Sequence, residues 1–295
     1  MRPLRALLIY ILVVFVGGAL LAPWLYKLVH ALAPASHLAQ NPFHRYVDRC
    51  FLGLALIGIW PLMRGLGATS WRDVGFVKPC GQCKRLATGF ALGFGSLACV
   101  AGIVLAAHGR QINPDLTAGR VCKGLASAAG TAILVAVLEE LLFRGGIFGA
   151  LRKVWNWRAA LLVSSMIYAI VHFFEKAEVT GPVTWVSGLE LLPRMLAGFG
   201  DFNMIIPGFL NLTLAGILLG FAYQKTGNLY FSMGPHAGWI FWLKFYGLAT
   251  NSVAGGSSWL WGTDKLIDGW LALLVLTAVF LVVVKLPFET GGKTP

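Results

Sequence analysis

Two adjacent carboxylates and a guanidinium interrupt a long apolar run, Ala132-Ile-Leu-Val-Ala-Val-Leu-Glu139-Glu140-Leu-Leu-Phe-Arg144-Gly-Gly-Ile-Phe148. Ionised side chains in a membrane helix cost at least ~2.5 kcal/mol each on insertion scales, so they mark function more often than packing. Glu140 and Arg144 stand four apart, on one helix face and within reach of an ion pair. Glu139 points about 100° round the helix. It is less well placed for the arginine and freer to act as a base. The plainer alternative is a charge cluster that only holds helices together. A second run, Met166-Ile-Tyr168-Ala-Ile-Val-His172-Phe-Phe, carries an imidazole. If the chain turns near Asn156, Glu139 and His172 each lie roughly 25 Å from the turn at 1.5 Å per residue, which predicts equal depth. Tyr168, one turn before His172 on the same face, either orients that ring or packs. A third run places His236 after Pro235, between Gly234 and Gly238. These small neighbours allow close helix approach or leave room for a ligand. The turn at Gly227 faces the same side as the one near Asn156, so His236 can reach the same polar chamber; the alternative is a helix-start histidine bonded to backbone.

Carboxylates among imidazoles can deprotonate water and support a developing oxyanion, the needs of peptide hydrolysis. Glu139, His172 and His236 can instead hold Zn²⁺ with one open position. The neighbouring Arg144 disfavours a cation, so a route without metal or other cofactor is preferred. Cys80-Gly-Gln-Cys83 has the spacing of half a zinc site or a redox pair, but no second pair stands ready to complete a tetrahedral site. The expectation there is a tight turn after Pro79.

The elements that position these residues are read from composition. The 295 residues are 57% hydrophobic and only 12% charged, with a mean hydropathy of +0.73. That excludes an ordinary soluble enzyme. The expected fold is all-α, a polytopic transmembrane helical bundle of about eight spanning helices, near 4–29, 47–63, 86–107, 124–154, 158–174, 203–224, 228–248 and 266–286. Arg2 and Arg5 before the first run resemble a signal peptide, but the run continues through Trp24 and Leu28 without a small-residue cleavage site, which favours a retained anchor. A polar connector, Ser70 to Arg85, is expected to rest on the membrane surface. Five cysteines are an odd count that argues against a complete disulfide framework. The net charge of +12 suits an anionic lipid bilayer better than nucleic acid, for which no module is evident. With the N-terminus inside, 13 lysines and arginines fall on cytoplasmic loops and 9 on the other side. The expectation is a multi-pass cell-membrane protein with both termini cytoplasmic.

Glu139-Glu140-x-x-x-Arg144, then Tyr168-x-x-x-His172, then His236 after the turn Thr226-Gly227-Asn228-Leu229, resemble the CAAX protease and bacteriocin-processing (CPBP) family of intramembrane proteins, related to the type II CAAX prenyl endopeptidases. The resemblance covers about residues 120–248 as a catalytic core, with 1–119 as N-terminal helices and connector and 249–295 as an outer loop and last helix. It implies a glutamate-type endopeptidase acting on a membrane protein or peptide. Glu139 and His172 would activate water, Glu140 and Arg144 would form the supporting pair, and His236 would stabilise the oxyanion. Two positions depart from the family pattern. Tyr168 replaces the usual Phe, and Ile240 stands where an Asn usually follows four residues after the histidine. Loss of one oxyanion donor can cost about 10²- to 10³-fold in rate. Asn211 or the Trp239 indole N–H is a candidate replacement, and Ile240→Asn is expected to leave activity unchanged or raise it. From other classes, a non-catalytic membrane binding or immunity protein with the same fold and a proton-relay transporter stay open.

Overall fold

A computed structural model describes residues 2–174, 177–179, 181–196, 202–253 and 257–288. In chain order the helices are α1 (Arg2–Leu12), α2 (Gly18–Leu32), α3 (Phe43–Gly65), α4 (Cys83–Ala106), α5 (Ala118–Glu140), α6 (Gly149–Leu151), α7 (Trp157–Val171), α8 (Ser187–Arg194), α9 (Phe202–Thr226), α10 (Tyr230–Ala249), α11 (Ser258–Trp261) and α12 (Trp270–Lys285). Two π-helical segments, Val13–Gly17 and Leu141–Phe148, join α1 to α2 and α5 to α6 into continuous rods. Each of the eight expected spans is helical. Five of the resulting helices are long and apolar enough to cross a membrane: Pro3–Leu32, Phe43–Gly65, Cys83–Ala106, Ala118–Leu151 and Ile205–Thr226. Trp157–Val171 and Trp270–Lys285 are shorter apolar helices. The protein is an all-α, multi-pass membrane protein. The helix expected to run to residue 174 ends at Val171, so His172 sits in the following turn.

The chain divides into two compact units. The first comprises residues 1–69 and 171–201. Its described core gathers Ala22 of α2, Phe43, Tyr46, Val47 and Cys50 of α3, and Leu191 of α8. Small residues set its spacing: Gly18 lies against Phe51, and Gly188 lies against the Ala19 backbone, where any side chain would collide. The Tyr10 hydroxyl donates to the Ala55 carbonyl at 3.0 Å. Leu8, Ile9, Trp24 and Ile57 face outward, as apolar side chains do when lipid is the solvent.

The second unit comprises residues 70–170 and 202–295. Its centre is α10, buried from Tyr230 through Ile240 and packed against α4 and α5. The α4 side is built on glycine. Gly89 and Gly93 of α4 face Pro235, and Gly234 and Gly238 of α10 face the backbone of Leu86, Phe90 and Phe94. Spacings of four put each pair on one face, and the missing side chains let the two backbones touch. Pro235 has no N–H to return to the Phe231 carbonyl, and Gly89 lies against that carbonyl. Of the two uses open to these glycines, the structure adopts close approach. On the α5 side, Ala132 and Ala136 meet Ala237 and Ile240. Leu97, Val100, Leu218, Leu219, Trp239 and Leu276 form the larger apolar core where α4, α9, α10 and α12 converge.

Both ends of α10 are fastened. At its start the Leu229 N–H donates to the Gly75 carbonyl at 3.0 Å, and the Tyr230 hydroxyl donates to the Val77 carbonyl at 2.8 Å. The connector expected on the membrane surface is therefore tied to the turn between α9 and α10. Its Trp71–Val74 segment forms a 3₁₀ turn with a capping box from Ser70 and Asp73, and Gly75 ends it at φ 84°. At the far end of α10, β1 (Arg110–Ile112) pairs antiparallel with β2 (Thr250–Ser252). Arg110 reinforces the ladder through Nε to the Thr250 hydroxyl at 2.9 Å.

Candidate active site

Glu139 and Glu140 are the last two residues of α5, and the π segment that follows holds Arg144. Such wide turns break the regular hydrogen-bond ladder and recur at functional sites. Along α5 the residues Ala128, Ala132, Ala136 and Glu140, each four apart, are all buried. Ala132 and Ala136 bring α10 close to α5, and the fourth position of the stripe is the carboxylate. Glu140 is 0% exposed, Arg144 2% and His236 2%.

One carboxylate oxygen joins the three. Glu140 Oε1 lies 2.9 Å from an Arg144 guanidinium nitrogen and 2.8 Å from His236 Nδ1. Buried ions survive only when paired and hydrogen-bonded. Here the second guanidinium nitrogen donates to the Gly216 carbonyl of α9 at 3.4 Å, and the guanidinium covers the Tyr168 ring at 4.7 Å, a cation–π contact that needs no water. The ion pair anticipated from the four-residue spacing is present.

The other nitrogen of His236 faces Glu139. Its Nε2 lies 3.5 Å from Glu139 Oε2 and 3.3 Å from the Tyr168 hydroxyl. His236 thus bridges the two glutamates, one wholly buried and one with its side chain 26% exposed. A carboxylate on one ring nitrogen fixes the ring's orientation and tautomer and aims the other nitrogen at the accessible acid. Phe143 packs edge-on against Tyr168 with centroids 5.0 Å apart, closing the apolar wall.

Of the residues singled out in the sequence, Glu139, Glu140, Arg144, Tyr168 and His236 come together in the second unit. His172 is exposed and lies in the first unit, in the turn after α7. Tyr168 reaches His236 with its hydroxyl. Both replacement donors proposed for the Ile240 position are engaged elsewhere. Asn211 gives its amide hydrogens to the Ile267 and Gly269 carbonyls at 2.7 and 2.8 Å, and Trp239 gives its indole N–H to the Ser96 hydroxyl at 3.0 Å. Ile240 itself is packed into the apolar contact with Ala132 and Ala136. Sequence reasoning missed the Gly216 carbonyl, which no side chain announces, and the alanine stripe, whose spacing of four was there to be read. Among the described residues no group of three or more His, Cys, Asp or Glu is placed to hold a metal ion. Cys80 and Cys83 are both free and exposed.

No curated protein and no solved structure matches the chain. One family does, described as "Type II CAAX prenyl endopeptidase Rce1-like", over residues 122–242. That stretch takes in most of α5, the π segment, α7, α9 and the part of α10 that carries His236, and the match supports endopeptidase activity at the membrane. With the glutamate pair, its arginine and His236 all inside the matched stretch, residues 122–242 are similar to the type II CAAX prenyl endopeptidase Rce1-like domain.

Proposed function

We propose that the protein is a glutamate-type intramembrane endopeptidase that hydrolyses a peptide bond in a membrane-associated protein or peptide, without a metal. The observation that carries this reading is the His236 ring held between Glu140 and Glu139. Glu139, the more accessible acid, takes a proton from the attacking water. His236, carrying a proton on each ring nitrogen when it acts as donor and steadied through Nδ1 by the Glu140–Arg144 pair, donates from Nε2 to the oxygen of the tetrahedral intermediate, and the Tyr168 hydroxyl stands beside it as a second donor. The proton on Glu139 then passes to the leaving amine. His172 enters as a partner of Glu139 in activating water on the family resemblance alone.

The test is substrate trapping with Glu139→Gln, followed by cleavage of the trapped protein by the purified native enzyme. Glu139→Gln and His172→Ala should each abolish cleavage at normal expression, whereas His236→Ala should leave a small residual rate. Chelators should have no effect; inhibition that added zinc reverses would favour a metal site instead. The second reading, a membrane binding or immunity protein, draws support from Ile240 and from the engagement of Asn211 and Trp239 with other partners. Cleavage untouched by Glu139→Gln would remove the catalytic assignment, and trapping without any cleavage by the native protein would favour the binder.

A further inference from the structure

We propose that a pocket in the second unit, away from the glutamates, binds the phosphate headgroup of an anionic glycerophospholipid. The pocket, about 210 Å³, opens between the first turns of α4 and the chain that leaves α12. Lys84, Arg85 and Thr88 line one side, and Phe231, Leu286 and Phe288 line the other. Among the described lining residues there is no acid. Lys84 and Thr88, four apart and exposed, share a face of α4, with Arg85 half-buried beside them.

Three features select the ligand. The first is charge. The first turn of α4 has no acidic residue, and its N-cap Gln82 accepts from an Arg85 guanidinium nitrogen at 3.4 Å without capping the helix backbone, so the positive end of the helix adds to the two cations instead of being neutralised. The second is the apolar wall. Phe231 is 2% exposed and meets Phe288 edge-on at 4.9 Å, and with Leu286 these rings carry the basic rim directly into hydrocarbon-like surface. An inorganic anion gains only from the rim, whereas an amphiphile gains from rim and wall together. The third is position. Helix α4 is long and apolar enough to span a membrane from Cys83 onward, so its first turn falls where headgroups lie. Basic pockets between membrane helices there draw anionic lipid from the plane of the leaflet. The volume holds a phosphate and adjoining glycerol but no acyl chain; the chains lie outside, beside the exposed Leu86 and Phe90 of α4.

The experiment uses the full-length protein in phosphatidylcholine nanodiscs, with phosphatidylglycerol added as probe and with native mass spectrometry and the thermal midpoint as readouts. Phosphatidylglycerol should be retained in preference to phosphatidylcholine and should raise the midpoint. Lys84→Gln with Arg85→Gln should weaken that retention roughly thirtyfold, about fivefold for each charge, and should leave the midpoint in pure phosphatidylcholine unchanged. Arg120→Gln, at the start of α5, should change nothing. If the double variant does not fold, Lys84→Gln alone, on an exposed side chain, should still show the fivefold loss. Equal retention by native protein and a folded variant would overturn the site. A midpoint rise of the same size with inorganic phosphate would assign it to a free anion instead of a lipid.

Discussion

Glu140 Oε1 faces both the Arg144 guanidinium and His236 Nδ1, so a change at any of the three is felt by the other two. Removing one partner of a buried ion pair leaves an uncompensated charge and costs about 3–5 kcal/mol, more than removing both. Arg144→Ala should therefore lower stability to unfolding in detergent by that order, and the further change Glu140→Ala should restore part of it. Strictly additive losses would show that the two do not interact. A second expectation reverses one drawn from the sequence. Ile240→Asn looked neutral or favourable for activity, but Ile240 is buried against Ala132 and Ala136, where an amide has no evident partner. A buried polar group without a hydrogen bond costs about 1–3 kcal/mol. We expect Ile240→Asn to reduce the folded fraction, measured as monodisperse protein after extraction; undiminished yield with raised activity would contradict this. The Glu140–Arg144 pair was legible because both ends sit on one helix, four residues apart. The Glu140–His236 bond was not, since it links positions 96 residues apart and depends on how two helices lie against each other.

At the scale of elements, the contact of α4 with α10 is the most demanding. Gly93 lies against the Pro235 backbone and Gly238 against that of Phe94. Either residue changed to Ala must push two helices apart, and overpacking of this kind costs about 1–3 kcal/mol or more. Because His236 lies between them on α10, the damage should reach the site. Gly93→Ala and Gly238→Ala should each lower the thermal midpoint and cleavage together, whereas Gly95→Ala, with open space around it, should be tolerated. Equal tolerance of all three would mean that the helices do not touch there. The eight expected helical runs were readable because a membrane demands unbroken apolar runs of a set length. The two three-residue strands and the short helices α8 and α11 left no such trace. Elements that brief carry too few residues for a period to emerge, and their pairing is decided by chain partners far away in sequence. The π segment was equally silent, since a local widening of the helix changes no side-chain pattern that composition records.

For the molecule as a whole, the balance of 13 basic residues against 9 predicts that both termini lie in the cytoplasm. A reporter active only outside the cytoplasm, fused after Pro295, should give no signal, and a strong signal would reverse the orientation. Composition alone made the membrane class legible, but not the division into two units, one of which takes residues from both sides of the other. The two anchors of α10 bear on how a substrate reaches the glutamates. The Leu229 and Tyr230 bonds to the connector hold one end, and the β1–β2 ladder holds the other. A piston stroke of one helical turn, about 5.4 Å, would break both at once. His236 is therefore held at a fixed depth beside Glu140 by both ends of its helix, and under the proposed function a peptide would be admitted by sideways parting of neighbouring helices, with α10 as the stationary post.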